Sequence, residues 1–180
     1  MLRTNKGLSL TGVLITIGII IILSGIILIA VNPAQKYAKN NDLERKSEIN
    51  SILSAVYQYK DSKIARGELP ECIVNSVLTA IPECNSPLNN ISDFDGAVEL
   101  GKGINSFDCS RTLVPYYIEE IPVDPTPTYT ADNTGYWICQ DNSDIISRIY
   151  ILATGVEDSY EDGGCTSPTN SLNAVMCVSG

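Results

Sequence analysis

A long apolar segment near the start of the chain limits every other reading. No charged side chain occurs between Lys6 and Lys36, and residues 8–31 are almost entirely Ile, Leu, Val, Gly and Ala with a few hydroxyl residues. A helix needs roughly 20 apolar residues to cross a bilayer's hydrocarbon core, and this segment supplies them. The sequence therefore predicts a membrane-spanning helix over residues 8–31. Arg3 and Lys6 precede it, and the cytoplasmic bias of basic residues places the first residues inside the cell and the remainder outside. A secretory signal peptide has an apolar region of about 7 to 15 residues and a small-x-small cleavage site. Here the run is longer and ends Leu28-Ile29-Ala30-Val31-Asn32-Pro33, which is no such site.

The junction Lys6-Gly7-Leu8-Ser9-Leu10 resembles the cleavage signal of type IV pilins and pseudopilins. The likeness continues through Val31-Asn32-Pro33-Ala34-Gln35-Lys36-Tyr37-Ala38 and from Glu44 to Tyr59, about the first 60 residues. The resemblance implies a leader of residues 1–7 and a cut by prepilin peptidase between Gly7 and Leu8. It further implies N-methylation of Leu8 and assembly into a filament through the apolar helix. The implied partners are prepilin peptidase, other pilin or pseudopilin subunits, the inner-membrane assembly machinery and membrane lipid. The implied location is a bacterial or archaeal plasma membrane, with the C-terminal domain outside or in an extracellular or periplasmic filament. One departure stands out. The family usually carries Glu at the fifth mature position, where it pairs with the terminal amine of the subunit already assembled. That position is Gly12, and its neighbours Ser9, Thr11 and Thr16 are neutral. A charge left alone in the membrane is expensive, so Gly12 favours a minor or tip-initiating subunit. The plainer reading is a small residue that eases helix packing, in common with Gly18, Ser24 and Gly25.

Charge is unevenly divided. Through Arg66 there are nine Lys and Arg against four Asp and Glu, whereas from Gly67 onward there are three against seventeen. The exported part is therefore acidic, which opposes general nucleic-acid binding. Its plain interpretation is a solvated surface that keeps the domain soluble. The six cysteines, Cys72, Cys84, Cys109, Cys139, Cys165 and Cys177, all follow the apolar segment. An even number confined there points to disulfides in an oxidising compartment. Connectivity is open from sequence. Nearest-neighbour pairing, Cys72 with Cys84, Cys109 with Cys139 and Cys165 with Cys177, is the working expectation, the last pair resembling the C-terminal disulfide loop of many pilins. Zinc would want CxxC spacing or histidine, and the chain has no histidine.

Beyond Asn32-Pro33, which kinks or restarts the helix, Ile49, Ile52, Leu53 and Val56 recur at helical spacing. Glu44, Arg45, Lys46, Glu48 and Lys60 are assigned to the polar face. Residues 32–63 read as the amphipathic helix of the head. Residues 64–134 read as a connecting region of loops and short elements, with Gly101-Lys102-Gly103 as a turn. The Ile121-Pro122-Val123-Asp124-Pro125 run is similar to the Pro-x-Asp-Pro turn before the sheet in pseudopilin-like heads, and Asp124 suits capping a turn. Residues 135–180 read as an antiparallel sheet, with strands at 135–140, 147–154 and 173–178 and a hairpin turn at Asp141-Asn142-Ser143-Asp144. The predicted class is α+β: a long N-terminal helix, its second half packed on a small antiparallel sheet, with a disulfide-linked head.

Catalysis finds little in these residues, with no histidine and no nucleophile elbow. The expectation is a structural protein without a cofactor. Glu157, Asp158, Glu161 and Asp162 gather four carboxylates beside Gly163 and Gly164, a chemistry suited to calcium. Some pseudopilins bind calcium in a loop near the last strands, and the resemblance carries the same suggestion to this loop; a solvated acidic loop is the competing reading. A functional alternative of another class is a single-pass, membrane-anchored extracellular binding protein.

Overall fold

The computed structural model describes residues 9–84, 96–142, 148–156 and 176–180. The chain divides into two compact units, Met1–Tyr37 and Ala38–Gly180. Helix α1, Leu10–Val31, belongs to the first. Helix α2, Pro33–Lys60, begins in the first and continues in the second.

Helix α1 has 22 residues and starts at an N-cap Ser9, whose hydroxyl accepts from the Gly12 amide. Two hydroxyls deeper in the helix turn back on its own carbonyls: Thr16 donates to Val13 (2.8 Å) and Ser24 to Ile20 (2.7 Å). That bonding satisfies polar groups which an apolar surround would leave stranded. Asn32 ends α1 in a left-handed conformation, φ 39°, and Pro33 opens α2, where the missing N–H costs nothing. The Asn-Pro dipeptide thus interrupts the helix and restarts it.

In the second unit the chain is α+β. A four-stranded antiparallel sheet runs in the order β3 (Val98–Glu99), β4 (Tyr136–Asp141), β5 (Arg148–Ala153), β6 (Met176–Ser179). Register places Ile138 opposite both Val98 and Ile151, and Ile151 opposite Val178. Period-two alternation then gives the sheet two working faces. On one, Tyr136, Ile138, Ile149, Ile151, Ala153 and Met176 pack with Ile49, Ile52, Leu53 and Val56 of α2. Each fully buried side chain of this size contributes about 1.5–3 kcal/mol, so burial rather than helix propensity holds α2 on the sheet. On the other face, Cys139, Tyr150, Leu152 and Cys177 form a smaller cluster, with Trp137, Cys84 and Ala97 against it.

The stretch 64–134 contains the short elements of the head. Strands β1 (Cys72–Val74) and β2 (Val77–Thr79) form a hairpin whose two turn residues, Asn75 and Ser76, both have positive φ. This is the two-residue turn that matches strand twist. A one-turn helix, α3, spans Ser110–Leu113. Gly101-Lys102-Gly103 is a turn held against residues 131–133: the Lys102 amide donates to Ala131 O and the Gly103 amide to Asp132 O. A Cβ at Gly101 would lie 2.1 Å from the Asp132 carbonyl oxygen, so only glycine permits this approach.

Nearest-neighbour disulfide pairing is incorrect for the first four cysteines. Cys72 joins Cys109 and Cys84 joins Cys139. Backbone pairing decides both. Ile73 and Asp108 exchange two amide hydrogen bonds of 2.9 Å, which brings the adjacent Cys72 and Cys109 to a Cα separation of 4.5 Å. The Gln140 amide donates to Pro82 O and the Cys84 amide to Gln140 O, each at 2.8 Å, and this sets Cys84 beside Cys139. Cys177 is disulfide-bonded. The expected pairing of Cys165 with Cys177 rests on Cys165, outside the described residues; of the turn expected at 141–144, Asp141 ends β4 and Ser143 and Asp144 lie outside the described residues.

Candidate functional site

The described part of α1, as far as Ile27, exposes its side chains along its whole length. It is long and apolar enough to cross a membrane. Gly12 lies in its first turn, and a Cβ there would meet nothing within 4 Å; Gly18 and Gly25 are equally open. Around Gly12 the Ser9 hydroxyl caps the helix, and that of Thr16 lies 3.2 Å from the Gly12 carbonyl as well as on Val13. No carboxylate stands in for the missing Glu among the described residues of this helix. Gly7 and Leu8, the residues of the expected cut, lie outside the described residues, and so do Glu157, Asp158, Glu161 and Asp162. Among the described residues no group of three or more His, Cys, Asp or Glu side chains could hold a metal ion.

The strongest polar constellation in the second unit joins α2 to the loop before the sheet. Arg45 is fully buried. Its guanidinium grips Asp124 with two bonds, Nε to Oδ2 at 2.7 Å and Nη2 to Oδ1 at 3.0 Å. It also donates to Asp42 (2.6 Å) and to the Thr126 hydroxyl (2.7 Å). Asp124 Oδ1 accepts from the Thr126 amide (2.8 Å), the capped turn expected at Pro-Val-Asp-Pro. Burial alone would raise the Asp124 carboxyl, but the bonds from Arg45 and Thr126 outweigh it and hold the group below its ordinary range. For Arg45, burial would lower the guanidinium, and the two carboxylates reverse that and raise it. Gly155 closes over the pair, since a Cβ there would lie 2.9 Å from Asp124 Oδ2 and 3.0 Å from Arg45 Nη2.

One turn along α2, Glu48 accepts a hydrogen bond from the Tyr136 hydroxyl of β4. Burial raises the Glu48 carboxyl despite that bond, and burial together with the bond to Glu48 raises the Tyr136 phenol. Glu48 also borders a cleft of about 370 Å³ edged by Lys102, Asp108, Ser110, Glu120 and Pro122. Asp108 is committed to the Ser110 amide (2.9 Å) at the start of α3. The bonds of Arg45 to Asp124 and Thr126, and of Tyr136 to Glu48, pin α2 to the loop and the strand that face it.

Assigning Arg45 and Glu48 to the polar face was therefore incorrect: Arg45 is interior and Glu48 is partly buried. The signal was present in the sequence. Arg45 stands four, seven and eleven residues before Ile49, Ile52 and Val56, on the same helical stripe. Its partner is 79 residues away and has no local pattern to announce it.

No protein-family model matches the chain, and neither a curated protein nor a solved structure shows significant similarity to it.

Proposed function

We propose that the chain is a structural subunit of a type IV pilus or a secretion-like pseudopilus, processed by prepilin peptidase at Gly7-Leu8 and assembled through α1. The observation that carries this reading is the pairing of a charge-free 22-residue helix, whose described side chains are exposed, with a Lys6-Gly7-Leu8 junction at its entry. An α+β second unit with α2 on an antiparallel sheet is consistent with the same family. Its orientation follows more firmly from cysteine chemistry than from flanking charge, because Lys36 and Lys39 make the far flank basic as well. Two disulfides between distant elements suit an oxidising compartment, so the head belongs outside the cytoplasm.

Once the leader is removed, the free amine lies at the cytoplasmic edge of the membrane. The helix then leaves lipid for a bundle of similar helices, where open positions such as Gly18 and Gly25 permit close approach. Gly12 supports a minor or tip-initiating place in the filament, since a first subunit has no preceding amine to neutralise. An intact-mass and N-terminal fragment spectrum of the protein, extracted from cells that contain a prepilin peptidase, tests the proposal. A methylated terminus at Leu8 is expected. An unprocessed terminus refutes it and leaves the membrane-anchored binding protein.

A further inference from the structure

We infer that the collar immediately after α1 is a binding site for anionic lipid headgroups, with the Lys36 ammonium on a headgroup phosphate and the Tyr37 ring beside it in the interfacial layer. The inference rests on α1 spanning the membrane. A 22-residue helix rising ~1.5 Å per residue is ~33 Å long, which fills a hydrocarbon core of about 30 Å. With α1 in that core, Val31 lies at its outer edge. Asn32 takes the left-handed turn and Pro33 restarts the helix, with the Lys36 amide bonded back to Asn32 O (3.3 Å). Five further residues at ~1.5 Å each carry Lys36 roughly 7 to 8 Å beyond that edge, into the headgroup layer.

Three features of the collar fit this neighbour. Lys36 is exposed, and no acidic residue occurs between Val31 and Asp42 to compete with a phosphate. Tyr37 is 70% exposed, a large amphipathic ring of the type enriched at membrane interfaces. The positive charge is local: Lys36 and Lys39 stand together in a stretch, residues 32–41, that carries no carboxylate. A basic residue at an anionic surface contributes about 1 kcal/mol, which is about a five-fold preference.

The test places single full-length chains in phosphatidylcholine nanodiscs that contain either spin-labelled phosphatidylglycerol or spin-labelled phosphatidylcholine. The readout is the motionally restricted fraction of each lipid. At low salt the parent is expected to prefer phosphatidylglycerol. Lys36→Gln should lower that preference about five-fold, Lys36→Arg should preserve it, and high salt should weaken it. An unchanged preference in Lys36→Gln overturns the inference. So does a variant whose only defect is in association between copies, which would make an acidic head the partner of Lys36. If neither labelled lipid is restricted, α1 is not in the bilayer and the spanning helix itself is refuted. Restriction without preference refutes the headgroup site alone.

Discussion

Arg45→Met is the most informative single change in the head. Methionine fills much of the same volume but removes both bonds to Asp124 and those to Asp42 and Thr126. Two carboxylates that are each 3% exposed then face one another without the cation between them. Removing one partner of a buried pair costs about 3–5 kcal/mol, because the remaining charge is neither hydrated nor neutralised. Domains hold only about 5–15 kcal/mol in total, so the effect is a large fraction of the whole. At a slope of about 2 kcal/mol/M, a loss of about 4 kcal/mol moves the urea midpoint down by about 2 M. The assay is equilibrium unfolding of the detergent-solubilised chain with its disulfides intact, followed by the fluorescence of Trp137, the single tryptophan. Arg45→Lys keeps the charge but not the two-pronged grip, and should lose about 1.5–3 kcal/mol. Combining Arg45→Met with Asp42→Asn and Asp124→Asn should recover more than half of the loss, since no charge is then stranded. A loss below about 1 kcal/mol for Arg45→Met, or a triple variant no better than the single, would show that packing rather than ion pairing fixes the 121–126 loop.

Four other outcomes are expected. The Glu48 carboxyl is raised above its ordinary 4.5, so its contribution to stability is complete below that pH and is lost as pH rises through the raised value. Glu48→Gln keeps an acceptor for Tyr136 and should therefore be more stable than the parent at neutral pH, with the advantage gone in acid. Asp124 runs the other way, its contribution being present above its ordinary 3.8 and lost as pH falls through the lowered value; acid unfolding of Asp124→Asn should be correspondingly shallower. Replacing Cys84 and Cys139 together by Ser opens a closure spanning 55 residues and should cost up to about 4 kcal/mol, read as a lower melting temperature. Under the proposed filament function, Gly12→Glu should move the protein from filament ends into the shaft, scored by labelling purified filaments; parent protein already labelling the whole shaft contradicts the proposed tip position.

Features with a local cause were legible in the sequence. The absence of charge from residue 7 to 35 marks α1, and Asn32-Pro33 marks its end because one residue tolerates the left-handed turn and the next has no N–H to donate to a carbonyl of the preceding turn. Strands β4, β5 and β6 fall within about three residues of the alternating runs; β4 and β5 are marked by their Ile, Tyr and Trp side chains. Strand β3 is two residues long, below the length at which alternation has meaning. The Asn75-Ser76 turn between Cys72-Ile73-Val74 and Val77-Leu78-Thr79 did have a readable hairpin pattern. The ion-paired junction and the disulfide map were not legible for the same reason: each joins residues 37 to 79 positions apart, and only the folded sheet brings them together.

The two disulfides overlap along the chain, with Cys84 inside the ring closed by Cys72 and Cys109, and Cys109 inside that closed by Cys84 and Cys139. A protease that cuts once anywhere between Cys72 and Cys139 therefore releases no fragment. Between Cys84 and Cys109 the two pieces stay joined by both bridges, and on either side of that interval by one. Damage to this stretch would be silent on a non-reducing gel and visible on a reducing one. A domain wired in this way survives a single nick as one covalent body.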